Sequence, residues 1–568
     1  MLPTIIDGIR VQGGLIPESE IDQLQVITGG VEAQYGDVTG GIISLTTKGP
    51  ASKFSGGIEM ETSEFLDAYR NSLIGINLSG PIIKKKSGES ILGFRLSGRY
   101  TYNFDDNPPA LSRYRVNDAK LAELEANPIL ELRGSQIPAA DFVTNADVDV
   151  LDANPNEQSK RNDLVAKLDA RLSKAMDISL SGSYFYSKNR FTPGNGLDNN
   201  ITNGTNTWQL LNSHNNPYDN NNNYRGNFRF RHRLGSNSGD QNGNASIVQN
   251  AVYTLTLGYE KNVSDRSDSR HGDRYFDYGY VGKFDVEWVP TFNLEFNPDL
   301  QQPYFQHSDY RAVLRGYQPG AVNPVLANYN NVMGLAGGGE GLNTAVPDFI
   351  LFNNSTALTA TPDISREGFV APNGFISGIF NNSWNFHTNV GWVYNNVAKG
   401  DNDIYTFNAN FNFDLLPGGS EKGRHTIQLG ALYEQRILRR YNVAPRNLWD
   451  VARQQANNHI LGIPLEDPSK LDTIGFANIP GFGDAALYQL EISEGEDNSF
   501  YKRVREVTGQ GLRDFVNVDG LDPSQLSLDM FSARELNDQG LIGYLGYDYL
   551  GNRFDGTFDE FFTARDAD

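Results

Sequence analysis

No cysteine occurs anywhere in the 568 residues. That excludes disulfide scaffolds, thiol nucleophiles and thiolate metal sites together. Long apolar runs are missing too. No stretch approaches the roughly 18–20 residues a membrane helix requires, and mean hydropathy is −0.47. Basic charge is in deficit: 48 Lys and Arg stand against 69 Asp and Glu, a net charge of −21. Nucleic acid is therefore no expected partner, because phosphate binding needs a basic face. The residues after Met1, Leu-Pro-Thr-Ile-Ile-Asp-Gly, have neither the basic region nor the apolar core of a secretory signal.

What the chain does have is 27 Tyr, 32 Phe and 58 Gly. Those residues favour strands and turns over helices. Hydropathy alone reads as a soluble acidic β-protein, but membrane barrels escape that test because they alternate apolar and polar residues and average out as polar. The alternation is clear. Leu92, Phe94, Leu96, Tyr100, Tyr102 and Phe104 oppose Arg95, Ser97, Arg99 and Asn103. Leu164, Ala166, Leu168, Ala170 and Leu172 oppose Asp163, Lys167, Asp169 and Arg171, with Val165 the one exception. Similar runs start at Ile178, Tyr405 and Ile427, and another reads Phe276 to Trp288. Runs of about 9–13 residues exceed the usual globular strand and suit a tilted membrane-crossing one. A soluble sandwich is the competing reading, and its strands would be shorter and richer in Val and Ile.

Connections differ by end. Short turns are expected at 174–177, 398–401 and 417–423, with 398–401 on the outer side. Long polar loops are expected at 105–161, 191–224, about 289–369 and from 443 onward, and they form the ligand-facing surface. Asn220 to Asn223 reads as a solvated loop tip. In the first fifty residues, Ser19 can cap a short helix start and Leu24–Ile27 reads as a buried strand. The glycines that follow are not a phosphate loop, since no Gly-Lys-Ser/Thr ending occurs.

Gly29-Gly30-Val31-Glu32-Ala33-Gln34-Tyr35-Gly36, followed by Gly40-Gly41-Ile42-Ile43-Ser44-Leu45-Thr46-Thr47-Lys48, resembles the end of the plug domain of TonB-dependent outer-membrane receptors. Ile21–Ile27 matches the strand leading into that motif, and Asp7-Gly8 its upstream turn. Lys53–Met60 resembles the first barrel strand. The family often has Glu where Gln25 stands, and the Gly36–Gly40 spacer is about one residue short. The resemblance implies an all-β fold: an antiparallel transmembrane barrel of about 22 strands, incomplete here, with a partial plug. It divides the chain at 1–49 (end of the plug, with Gly29, Gly30, Tyr35, Gly36, Gly40 and Gly41 as its motif) and 50–568 (barrel strands with long extracellular loops). Roughly a dozen long strands are countable and the acidic end lacks an alternating closing strand, so the chain is expected to be an internal fragment whose signal peptide is lost by truncation. The resemblance further implies no enzyme and no cofactor. It implies a cell outer-membrane location and energy-coupled import of a large or scarce ligand: a glycan, peptide or metal chelate. Expected partners are outer-membrane lipid, the TonB motor complex, an extracellular ligand and a surface lipoprotein. The alternative is an adhesion or structural barrel without import, and a weaker one a soluble carbohydrate-binding β-protein.

Other constellations lead nowhere sharper. The seven histidines include no pair at metal-ligand spacing. Asp147, Asp149, Asp152 and Asn154 lack the glycine turn and distal Glu of a calcium loop. Lys84-Lys85-Lys86 reads as a polar turn, and Arg229, Arg231 and Arg233 as charges facing the barrel lumen.

Overall fold

The computed structural model describes residues 4–11, 16–29, 40–49, 51–132, 135–193, 207–234, 248–331, 350–351, 373–374, 390–417, 423–493, 495, 499–537 and 540–554. The chain begins with a small sheet of β1 (Thr4–Ile6), β2 (Ile9–Val11), β3 (Ile21–Ile27) and β4 (Ile42–Thr47), in the order β2-β1-β4-β3. Asp7 and Gly8, both at positive φ, make the two-residue turn between β1 and β2, the turn whose twist suits a hairpin. No helix starts at Ser19; Glu18–Glu20 is a single 3-10 turn that runs into β3. Leu24 and Val26 are exposed, against the expectation of a buried strand, because β3 is the outer strand of this sheet.

The main sheet then forms in chain order. Its first strands are β5 (Ser55–Thr62), β6 (Ser72–Lys84) and β7 (Ser90–Asn103). An excursion follows with β8 (Arg113–Val116), α1 (Asp118–Ala126), β9 (Ile129–Leu132), β10 (Ser135–Pro138) and β11 (Val148–Leu151). The sheet resumes with β12 (Ser159–Arg171) and β13 (Met176–Arg190). After α2 (Thr207–Asn212) it continues as β14 (Tyr218–Arg233) and β15 (Val248–Ser267). A second excursion carries β16 (Gly282–Asn297), β17 (Gln302–Pro319), α3 (Pro324–Asn331) and β18 (Ile350–Leu351). Strands β19 (Val397–Leu415) and β20 (His425–Val443) return to the sheet. The last excursion holds α4 (Leu448–Ala456), β21 (Ile460–Gly462), β22 (Thr473–Ile479), β23 (Gly483–Tyr488), β24 (Glu491–Ile492) and α5 (Phe500–Thr508), and β25 (Ile542–Leu545) pairs back onto β20.

The result is an antiparallel sheet of ten strands, ordered β25-β20-β19-β15-β14-β13-β12-β7-β6-β5. Among the described residues it does not close into a barrel. Four readings are corrected here. Nine long strands and one short one stand where about a dozen were expected, and they run to 20 residues in β15. Ala398–Asp401 is no turn: it lies inside β19, paired on both sides. Asn220–Asn223 is no loop tip: these residues lie in β14, laddered to β13 and β15. Phe276–Trp288 is no membrane strand: Tyr275–Asp277 is a 3-10 turn and β16 belongs to a separate sheet with β17 and β18.

Up-and-down order places successive connections at alternate ends. One end carries 85–89, 172–175, 234–247 and 416–424; the other carries 63–71, 104–158, 191–217, 268–396 and 444–541. The long connections therefore share one end, as expected, and 172–175 lies at the other. Most of the 417–423 turn falls outside the described residues.

The long connections are not separate loops. They pack into one cap with a continuous apolar core, drawn from α1, α2, α3, α4 and α5 and the segments 276–284, 516–531 and 542–549. Phe276 lies edge-on to Trp449 at 5.4 Å and parallel to Phe531 at 6.3 Å. Aromatic pairs of this kind add about 0.5–1.5 kcal/mol beyond their burial. Burial in this cap is what the alternation from Phe276 onward reports.

Candidate functional site

The two faces of the main sheet are inverted relative to a soluble protein. Along β12, Leu164 and Leu168 are 51% and 42% exposed, while Asp163, Lys167 and Asp169 are 0%, 4% and 6% exposed. Register carries the same division across the sheet. Leu164 pairs with Gly98 and Tyr184, Tyr184 with Tyr224, and Leu257 with Phe228 and Phe407. Ile76, Leu96, Leu180, Leu257, Phe407 and Leu429 are all exposed on that one face. A contiguous exposed apolar face of nine strands far exceeds the few hundred Å² normal for a soluble surface.

The opposite face is polar, and the amino-terminal sheet docks on it. Lys167 donates to the Thr47 hydroxyl at 2.5 Å and to the Lys48 carbonyl at 3.0 Å. Arg95 donates to the Gly49 carbonyl at 2.9 Å, and Asn408 to the Gly8 carbonyl at 3.0 Å. Asp7 accepts from the Thr47 amide and hydroxyl, and Arg229 stands 3.9 Å away. Arg229 thus has the facing expected of it. A Cβ at Gly258 would meet the Ile9 side chain at 2.7 Å, so the glycine leaves room for Ile9 where β2 meets β15. The rest of this face neutralises itself: Arg99 and Arg161 both pair with Asp163, at 2.9 and 2.6 Å, and Asn223 donates to Glu260 at 2.7 Å. Buried charges persist only when paired in this way.

Of the six motif positions, Gly29, Gly40 and Gly41 are described, and Gly30, Tyr35 and Gly36 lie outside the described residues. Gly41 has φ 117°, and a Cβ there would sit 2.5 Å from the Ile27 carbonyl oxygen. The crossing of β3 and β4 therefore requires glycine at that position. Gly29 has open space around it. The three atoms nearest a Cβ at Gly41 belong to Ile27 and Thr28, not to the main sheet. Contact comes instead from Ile6, Val11, Ile16 and Leu45, which form one cluster with Val165 and Phe185. Those two main-sheet residues went unrecognised from sequence, although Val165 was visible as the break in alternation: an apolar side chain on a polar face marks where something covers that face.

A second polar feature lies where the cap meets the upper ends of β13, β14 and β15. It is a cleft of about 500 Å³ lined by Asp106, Arg113, Glu157, Arg190, Asp219 and Arg266 among others. Burial pushes the Glu157 carboxyl above its ordinary value, against the pull of its hydrogen bond from Thr192. Arg113 is held by the Asn154 amide oxygen at 3.1 Å, and Arg190 by the His214 carbonyl at 2.7 Å. Three guanidinium groups and three carboxyl groups give the cleft groups of both charge signs for a polar ligand. Among the described residues, no group of three or more His, Asp or Glu is arranged to hold a metal ion.

No family model matches the chain, and no curated protein matches it. Solved structures with a resembling arrangement include the ferripyoverdine receptor of the Pseudomonas aeruginosa outer membrane, at 10% identity and TM-score 0.36 over 78% of this chain and 37% of that one. The ferric enterobactin receptor of the same organism gives 12% identity and TM-score 0.31, over 78% and 52%. The outer-membrane transporter YddB of Escherichia coli gives 10% and 0.28, over 78% and 46%. The chain thus spans between about a third and a half of the length of these proteins.

Proposed function

We propose that the chain is the plug end and part of the barrel of a TonB-dependent outer-membrane receptor, not an enzyme. Residues 1–49 are the last part of the plug, with Gly29, Gly30, Tyr35, Gly36, Gly40 and Gly41 as its motif, and 50–568 are barrel strands with extracellular connections. The observation that carries this reading is the inverted sheet: apolar residues face outward over nine strands, and buried charges face a docked amino-terminal sheet. Lipid is the solvent that stabilises the first face. A plugged lumen is the setting that needs the second. The cap is the extracellular surface, and its charged cleft is where a glycan, peptide or metal chelate is first held. Import is energised through the TonB motor complex, and a surface lipoprotein is a further partner.

Location is the first test. In a Gram-negative host, the exported protein should sediment with outer membranes, resist carbonate extraction and dissolve only in detergent. Protease added to intact cells should cut the cap segments 104–158 and 444–541 and spare 172–175. Recovery as a soluble periplasmic protein would reject the reading.

A further inference from the structure

We propose that Lys160 and Lys188 form a binding site for the phosphate of an anionic lipid headgroup, on the outward face at the upper rim of the apolar belt. The inference rests on the membrane reading above. The two lysines are directly opposite each other across β12 and β13. They share the face of Leu164 and Tyr184, four residues further toward the cap. Like charges in directly opposed cross-strand positions are destabilising. Nothing among the described residues offsets them with an ion pair. The next residue in the row is Asn220, and the carboxylate beyond it, Asp265, accepts from the Asn220 amide at 3.0 Å.

Both ammonium groups are instead held over aromatic rings. Lys160 lies 5.9 Å from the centre of Tyr102, and Lys188 lies 4.0 Å from that of Tyr218. The Arg190 guanidinium stands over the same Tyr218 ring at 5.4 Å. Cation–π contacts fix the position of a cation without neutralising it. A chain with a net charge of −21 therefore holds a preset cationic doublet to which no carboxylate among the described residues is paired.

Height identifies the ligand. From Leu172 to Asn162, at about 3.3 Å per residue and a tilt near 45°, the outward face rises about 23 Å, close to the roughly 25 Å of a barrel's apolar band. Lys160 is the next outward position beyond it. That is the level of headgroup phosphates. Directly opposed side chains, with Cβ atoms about 5 Å apart, can bracket one phosphate with charge-assisted hydrogen bonds. The acyl chains of the same lipid would lie along Leu164 and Leu180 below.

The test uses the full chain in phosphatidylcholine nanodiscs, doped with phosphatidic acid or, as the dephosphorylated control, diacylglycerol. Phosphatidic acid should raise the melting temperature and bind in a saturable way. Diacylglycerol should do neither. The variant K160Q/K188Q should bind phosphatidic acid about tenfold more weakly, and K160R/K188R should retain binding. Inorganic phosphate in plain phosphatidylcholine discs should give no comparable shift; if it does, the site is one for free phosphate and the lipid assignment falls. Equal binding by the glutamine variant and the wild type would also overturn the proposal. Failure of the wild type to enter nanodiscs at all would instead overturn the membrane reading.

Discussion

Lys167, on β12, donates to the Thr47 hydroxyl on β4, so one buried ammonium bridges the main sheet and the amino-terminal sheet. Its nearest anion is Asp169, 3.7 Å away and almost as deeply buried. Replacing Lys167 by Ala leaves that carboxylate buried without its cation, a change that typically costs about 3–5 kcal/mol. Hydrogen exchange over Ile42–Thr47 should accelerate strongly. Arg171, which pairs with Glu89 at the exposed end of the same strand, should show at most about 1 kcal/mol on conversion to Ala. Equal effects would mean that docking does not depend on Lys167.

On the outward face, Leu164→Arg at mid-belt should cost roughly 2–4 kcal/mol in lipid, whereas Asn410→Ser on the inward face should cost far less. Equilibrium unfolding in vesicles measures both. Similar costs would favour a water-facing sandwich.

Histidines of the cap make its stability depend on pH, and His214, held near a pKa of about 4 chiefly by desolvation, is one of them. His307 and His459 are each held near a pKa of about 4, His307 and His459 both chiefly by burial. Each neutral ring is in use: His307 Nδ1 accepts from the Tyr488 amide at 3.0 Å, and His459 Nε2 donates to the Leu512 carbonyl at 2.7 Å. An unfolded histidine titrates near 6.5. Between about 6.5 and 4 the unfolded chain therefore binds more protons than the folded one, and cap stability falls as pH falls. The slope approaches about 1.4 kcal/mol per pH unit for each ring and vanishes below about 4. Trp288, stacked on Phe515 at 5.2 Å, offers a fluorescence readout, and His307→Phe should reduce the slope without abolishing it.

Within the cap, Arg453 donates to Asp519 at 3.1 Å and to the Asn373 carbonyl at 2.9 Å. Burial disfavours its charge, but Asp519 and Asp450 outweigh that and hold the guanidinium above its ordinary value. Asp519→Ala should therefore destabilise the cap by about 3–5 kcal/mol, and Arg453→Met combined with Asp519→Leu by much less. Near-UV circular dichroism should report the loss, while the heat-dependent electrophoretic mobility expected of the membrane strands stays unchanged.

Period-2 reading of the sequence located β7, β12, β13, β19 and β20 and assigned their faces, because a strand with one exposed apolar face and one polar face turned to a docked sheet alternates along its whole length. Alternation does not say what lies against the apolar edge. Phe276, Tyr278 and Tyr280 alternate as Leu164 and Leu168 do, yet they are buried in the cap core with Trp449 and Phe531, while the two leucines are exposed. Turn propensity misplaced Asn220–Asn223, where ladder bonds on both sides override local preference. The docking residues were legible only as anomalies. Val165 and Phe185 break the polar face, and both lie under the amino-terminal sheet.

The cap core joins Phe276, from the connection 268–396, to Trp449 and Phe531, from the connection 444–541. Phe276 and Trp449 stand 173 residues apart in the chain. Contacts this distant in sequence carry a large closure entropy and form late. On that ground the cap should be the last part of the molecule to assemble, after β19 and β20 have taken their places. A probe of the finished cap would in effect report whether the strands beneath it had been laid in the right order.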